Sequence, residues 1–174
     1  MPTENEVKFV LCRSPDLKNS LMTKYGWHDI LQGYLSPNNR IRKITHQSGL
    51  ISYVYSYKQR LPNNRNVEIE NDISKEDYDD LWEFTTSRLL KRRVSIFLHL
   101  EPQTVRWDID FPQWEIPFDM AEVEMPAYME HPPFILEDIK PYVIYEVPRS
   151  DGRFSAKKLS CEKHALKMAK ELGL

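Results

Sequence analysis

Seven short stretches of this chain place charged side chains at alternate positions: Glu4/Glu6/Lys8, Arg40/Arg42, Lys58/Arg60, Glu68/Glu70, Lys91/Arg93, Arg106/Asp108/Asp110 and Glu122/Glu124. In an extended segment alternate side chains share a face, so the charges of each stretch point the same way. Carboxylates side by side raise one another's pKa unless a cation or solvent compensates them, so the acid pairs suggest a metal. Clustered arginines and lysines call for an anion, and the guanidinium fork suits phosphate oxygens through charge-assisted bidentate bonds. Together the two sets suit a metal polyphosphate. Hard oxygen donors favour Mg²⁺ or Mn²⁺, and Mg²⁺ bridges a few carboxylates to substrate phosphates without needing a cage made only of protein. A solvent-facing sheet laced with surface ion pairs accounts for any one stretch alone. Recurrence across most of the sheet is what favours a site.

The remaining composition narrows the chemistry. The chain has 174 residues, within the range of one domain, and residues 1–174 are read as a single domain. Its 24 basic and 26 acidic residues nearly cancel, so no global basic field recommends nucleic acid or an anionic membrane as a partner. Any anion site must be local. Cys12 and Cys161 are the only cysteines, and with no signal peptide or long apolar run the expectation is a cytoplasmic protein without structural disulfides. The five histidines lack zinc-ligand spacing, and the five glycines form neither a Walker loop nor a dinucleotide fingerprint. A phosphate is therefore expected to be held by side chains.

The elements that position these charges are legible as an α+β pattern. Glu4, Glu6 and Lys8 alternate with Asn5, Val7, Phe9 and Leu11 as the first strand. Ser14-Pro15-Asp16 opens a helix that stops at Gly26. Strands are predicted over 29–36, 40–45, 51–58 and 66–73, separated by Ser36-Pro37-Asn38-Asn39 and Leu61-Pro62-Asn63-Asn64. Ser74 and Asp77 form an acidic capping box for a helix through about residue 90, with Tyr78, Leu81, Trp82, Thr85 and Leu89 on one face. Further strands follow over 94–100, 104–111 and 120–125, about eight in all, enough to close a narrow barrel. The proline-rich stretch 126–148 reads as a lid or packing strap with a short strand near 142–147. Ser160 caps a last helix ending near Gly173.

In their order these motifs resemble the CYTH family, the triphosphate tunnel metalloenzymes, over nearly the whole chain. Glu4-Asn5-Glu6-Val7-Lys8 is similar to that family's ExExK, Gln32-Gly33-Tyr34-Leu35 to its QGYL strand and Arg40-Ile41-Arg42 to its RxR. Tyr57-Lys58 supplies the later strand-borne lysine. Glu68-Ile69-Glu70, Lys91-Arg92-Arg93, Trp107-Asp108-Ile109-Asp110 and Ala121-Glu122-Val123-Glu124 match ExE, KxR, WxxD and AExE. The likeness thins near the C-terminus: Glu146-Val147-Pro148 stands where EVT is common, and Phe154-Ser155-Ala156 replaces YSN. Gly152, Arg153 and Ser155 are read as a surface turn.

The resemblance implies a closed eight-stranded antiparallel β-barrel, a triphosphate tunnel, with flanking helices. It implies Glu4, Glu6, Asp110, Glu122 and Glu124 as ligands of Mg²⁺ or Mn²⁺, and Lys8, Arg40, Arg42, Lys58 and Arg93 as phosphate-binding residues. Glu68 or Glu70 would orient a water, with Lys91 on the same wall; Arg60 and Arg106 are read as rim charges. The expected activity is metal-dependent hydrolysis of an inorganic, nucleoside or other organic triphosphate, in which catalysis is chiefly electrostatic. Two alternatives share these motifs: a class IV-type adenylate cyclase, releasing cyclic nucleotide and pyrophosphate, and a non-catalytic nucleotide or polyphosphate binder.

Overall fold

The computed structural model describes residues 3–62, 66–101, 103–114 and 116–174, and of Thr3 and Glu4 the backbone. Among these residues ten strands make one antiparallel sheet: β1 (Thr3–Glu4), β2 (Glu6–Cys12), β3 (His28–Tyr34), β4 (Asn39–His46), β5 (Ile51–Arg60), β6 (Asn66–Asp72), β7 (Ser87–Leu100), β8 (Gln103–Pro112), β9 (Phe118–Glu124) and β10 (Val143–Val147). The helices are α1 (Pro15–Tyr25), α2 (Lys75–Trp82), α3 (Ala156–Leu159) and α4 (Glu162–Glu171). The sheet order is β1-β6-β5-β4-β3-β7-β8-β9-β2-β10. It exceeds the predicted eight strands because the first strand is split at Asn5 and the strap supplies β10. No helix among the described residues is long and apolar enough to cross a membrane.

Local chemistry accounts for most boundaries. Ser14 caps α1 by accepting from Leu17 N, Pro15 opens the helix, and Gly26 ends it at φ 76°. Ser74 accepts from Asp77 N, the first half of its capping box, and its hydroxyl donates to Asp77 Oδ2 at 2.7 Å. Between β3 and β4 the Ser36 hydroxyl accepts from the amides of Asn38 and Asn39. Asn63 and Asn64, in the second predicted turn, lie outside the described residues.

Two helix boundaries depart from the sequence reading. α2 ends at Trp82, and residues from Ser87 onward join β7 rather than continuing the helix to residue 90. Tyr34 O accepts from Thr86 N at 2.8 Å, and the β3–β7 ladder pairs Tyr34 with Ser87 and Ile30 with Lys91. Long-range pairing thus overrides the local helical period, which Thr85 and Thr86 support weakly in any case. The last helix is likewise two helices: Ser155 caps α3, while Ser160 closes α3 and α4 begins after Cys161.

One face of the sheet is apolar and covered. Val7, Phe9 and Leu11 of β2 pack with Val94, Ile96, Trp107, Ile109 and Val123, beneath Leu17 and Leu21 of α1 and Leu136 and Ile139 of the strap. Asn5, at the break between β1 and β2, ties the strap down: its amide donates to Pro126 O and Met129 O, each at 2.7 Å. The predicted stretch 126–148 is therefore a packing strap. A second apolar cluster lies on the opposite face, where Val10, Phe118 and Met120 meet Phe154, Leu159, Ala165 and Met168. There the C-terminal helices fold across the face that carries the charges.

Gly33 shows how one motif position serves packing. A Cβ there would stand 2.4 Å from Thr85 Cγ2 and 2.8 Å from Trp82 Cζ3, so only glycine lets the end of α2 lie against β3. Replacing Gly33 by Ala is expected to cost about 1–3 kcal/mol through overpacking, read as a lower urea midpoint at unchanged m-value. A midpoint equal to wild type would mean that this contact yields freely.

Candidate functional site

The charged residues occupy the face opposite the α1 core, at alternate positions along the strands. The sheet curls so far that strands distant in its order touch through side chains. Lys58 Nζ of β5 lies 3.3 Å from Glu6 Oε2 of β2 and 3.6 Å from Glu68 Oε2 of β6. A cavity of about 670 Å³ runs inside the curl.

Within it, cations from one strand meet carboxylates from another. Lys8 bonds Glu122 and lies 3.3 Å from Glu6. Arg40 pairs with Glu68, and Arg42 reaches Glu70 at 2.6 Å and Glu68 at 3.5 Å. Arg93 sits between Asp110, Asp108 and Glu122 at 2.6, 2.8 and 3.6 Å. Lys91 bonds the other oxygen of Asp110, and Arg106 pairs with Glu124 at 2.7 Å. Gln32 orients the cluster from β3, accepting from Arg42 Nε at 3.1 Å and donating to the Tyr34 hydroxyl at 2.6 Å.

These contacts set the protonation of the wall. Burial alone would raise Glu6, Asp110 and Glu122, but the adjacent cations outweigh it and hold all three below the usual carboxylate range. For Lys8, burial is outweighed by Glu122 and Glu6, and its pKa is raised. Lys91 goes the other way. Burial and the neighbouring Arg93 bring its ammonium down to about 8, despite the bond to Asp110. Burial and Arg40 likewise lower Arg42, to about 10.

Of the residues singled out in the sequence, Glu6, Lys8, Arg40, Arg42, Lys58, Glu68, Glu70, Lys91, Arg93, Glu122 and Glu124 all line the cavity. Asp110 is not among the lining residues; it is 5% exposed, with both oxygens engaged by Lys91 and Arg93. The side chain of Glu4 lies outside the described part, although its backbone pairs with Asn66 of β6. Arg60 and Arg106, read as rim charges, also line the cavity, as do Gly152 and Ser155 of the supposed surface turn. Arg153 is exposed and held by Asp151 and Glu171. The sequence reading missed Arg149, Lys157 and Lys158, which enter from the segment after β10. Their charges follow no strand alternation, and the only signal for them was the dense basic run Arg153, Lys157, Lys158.

Three glutamates bear on a metal. Glu6 stands directly opposite Glu124 in the β2–β9 ladder, and Glu122 faces the same way two residues on, giving three hard carboxylates on one wall. Among the described residues, no three acidic, histidine or cysteine side chains converge on one point.

No protein-family model and no curated protein matches the chain. Among solved structures it is similar to the hypothetical protein NE1496, at 23% identity and a TM-score of 0.51, covering 90% of this chain and 97% of that one. That likeness shows the fold. A "putative adenylate cyclase" of Bacillus halodurans aligns at 14% identity over 71% of this chain and 82% of that chain, with a TM-score of 0.39. A chain of the Schizosaccharomyces pombe Mediator head module aligns at 10% identity over 98% and 92%, with a TM-score of 0.47. Neither of these two bears on function.

The Lys91 environment has a measurable consequence. Its ammonium is expected to titrate near pH 8 in a lysine-selective NMR experiment. From there to the ordinary value, about 10.4, the unfolded chain holds a proton that the folded chain has released, so this group makes stability rise with pH. Lys91→Met should remove that slope. A Lys91 resonance titrating above 10 would contradict the assignment.

Proposed function

We propose that the chain is a divalent-metal-dependent phosphohydrolase of the triphosphate tunnel kind, with Thr3–Glu4 stitching the two sides of the curled sheet into a barrel through β6. The carrying observation is the charge of the cavity. Among the described residues its lining holds eleven lysines and arginines against seven aspartates and glutamates, an excess of four positive charges in a chain of net charge −2. Such a concave, low-dielectric wall concentrates a polyanion and favours it strongly.

Arg40, Arg42 and Arg93 bind nonbridging phosphate oxygens through paired N–H donors, and Lys8 and Lys58 add point charges. Mg²⁺ or Mn²⁺ would be held by one or two of Glu6, Glu122 and Glu124, together with phosphate oxygens and waters. When bound, the ion neutralises charge on the phosphates and favours attack by water. Asp110 is a positioning residue that holds Lys91 and Arg93. Lys91 carries a proton with a pKa of about 8, suited to transfer to a leaving phosphate oxygen near neutral pH. Glu68 or Glu70 orients the attacking water once phosphate has drawn the arginines away from them. Tyr34 is the one aromatic residue among the described lining, and Lys157 Nζ lies 5.8 Å from the centre of its ring, so a nucleobase finds no open stacking platform. That favours hydrolysis of a compact triphosphate over cyclisation of ATP.

A panel of inorganic triphosphate, thiamine triphosphate, ATP and GTP with Mg²⁺ or Mn²⁺, with products separated by chromatography, tests the reading. Metal-dependent release of phosphate from inorganic triphosphate is expected, and cyclic nucleotide as the main product would reject it. Glu122→Gln should lower kcat about 100-fold with the fold intact. Arg42→Ala should chiefly raise KM, and Arg42→Lys should restore only part of the loss, because the fork is gone. Unchanged turnover in Glu122→Gln would remove that wall from the mechanism.

A further inference from the structure

The cavity cations fall into two groups. Those of the strands are already matched: Lys8, Arg42, Lys91 and Arg93 each bond a carboxylate within the curl. Those of the segment after β10 are not. Lys157 and Lys158 form no ion pair among the described residues. Lys158 acts on Asp151 only at longer range, and Arg153 already holds that carboxylate. Arg149 donates to neutral acceptors, the Asn5 side chain and Glu130 O. A polyanion must displace a carboxylate to reach a strand cation, but displaces nothing at these lysines.

A second observation points to the same end of the cavity. Lys157 Nζ lies 5.8 Å from the centre of the Tyr34 ring, reaching across from the C-terminal segment to β3. Tyr34 pairs with Arg40 on one side and Ser87 on the other. Arg40 Nε and Ser87 Oγ are both buried without a hydrogen-bond partner. Unpaired buried donors are rare, and of these two Arg40 lines the cavity, so its Nε beside an unneutralised lysine marks a place for an acceptor oxygen. The segment itself is fixed there, because Phe154 and Leu159 are anchored in the apolar cluster with Val10, Phe118 and Met120.

We propose that Lys157, with Lys158 and Arg149 beside it, is a second phosphate-binding wall that grips the far end of a polyphosphate chain and so sets the shortest chain that binds tightly. This rests on the proposed function, since it presumes a phosphate chain seated on the strand cations. On this proposal a diphosphate held by the inner strand cations leaves Lys157 unengaged, whereas a longer chain extends past Arg40 toward Tyr34 and reaches it. The segment is thus a ligand-selecting element, and Lys157 is its specificity-determining residue.

Calorimetric titration of pyrophosphate, tripolyphosphate and tetrapolyphosphate in metal-free buffer, where nothing turns over, tests the proposal. Affinity should rise with chain length in the wild type. In the Lys157→Ala, Lys158→Ala double variant the two longer chains should lose about tenfold or more while pyrophosphate changes by less than about twofold. Lys157→Arg, paired with native Lys158, should keep the preference. Both lysines lie outside the apolar cluster, so the variants should melt as the wild type does. Equal losses for all three chains, or no loss, would overturn the proposal while leaving the proposed function standing. If the wild type binds none of the three, with or without Mg²⁺, the proposed function fails and the second wall with it.

Discussion

The structure turns on charge compensation across the inside of a curled sheet. Lys8, Arg40, Arg42, Lys58, Lys91, Arg93 and Arg106 each meet a carboxylate borne by a different strand. Arg106 keeps two-fifths of its side chain exposed, but the others are largely buried and costly to leave unpaired. Stripping one partner from a buried pair costs about 3–5 kcal/mol, so the strands must stay in register for the charges to stay matched. Register in turn is set on the other face, where Phe9 and Trp107 stack at 5.6 Å beneath α1 and the strap. A slip of one residue would carry the apolar side chains inward and the charges into the core. Core and lumen therefore enforce the same alignment from opposite sides of one sheet.

That shared alignment explains what the sequence makes legible. Alternation identifies β2 from Glu6 to Leu11 and β9 from Ala121 to Glu124, because each strand carries apolar side chains on one face and charges on the other. The charged face would ordinarily be the wet one. What turns it inward is the curl, seen when Lys58 touches Glu6 across the cavity, and curl is a property of ten strands together. Local signals also decide α1, whose Ser14, Pro15 and Gly26 act within a few residues of its ends. They fail for residues after Trp82, where Tyr34, far away in the chain, supplies the pairing that makes β7. They fail again at the C-terminus. Lys157 and Lys158 follow no strand alternation, and only the docking of Phe154 and Leu159 onto Val10 and Met120 turns that segment over the cavity.

The C-terminal segment also gives the cavity its asymmetry. On the inner face of β2 and β9 the charges stop at Lys8 and Glu122, and the next positions, Val10 and Met120, are apolar and sealed by helices. The inner wall thus changes from ionic to greasy within two residues of one strand. Arg60 bonds Arg149 O, tying β5 to the same segment from the other side. Ordering this part of the chain costs conformational entropy that the apolar contacts offset, so Arg149, Lys157 and Lys158 are held near the cavity at little further cost when an anion binds.

Compensation also constrains how a ligand enters. A phosphate that draws Arg42 from Glu70 or Lys8 from Glu122 leaves a carboxylate facing the cavity without its partner. On the proposed function, an anion arriving alone would trade one set of charge-assisted bonds for another and leave the acids exposed to each other, Glu6 opposite Glu124 foremost. An anion arriving with a divalent cation leaves neither set bare: arginines and lysines turn to the phosphates, and the acids turn to the metal. The paired acids and paired bases are then two halves of one exchange. On that function the seven carboxylates among the described lining residues have a role, since an anion site built for affinity alone would contain none.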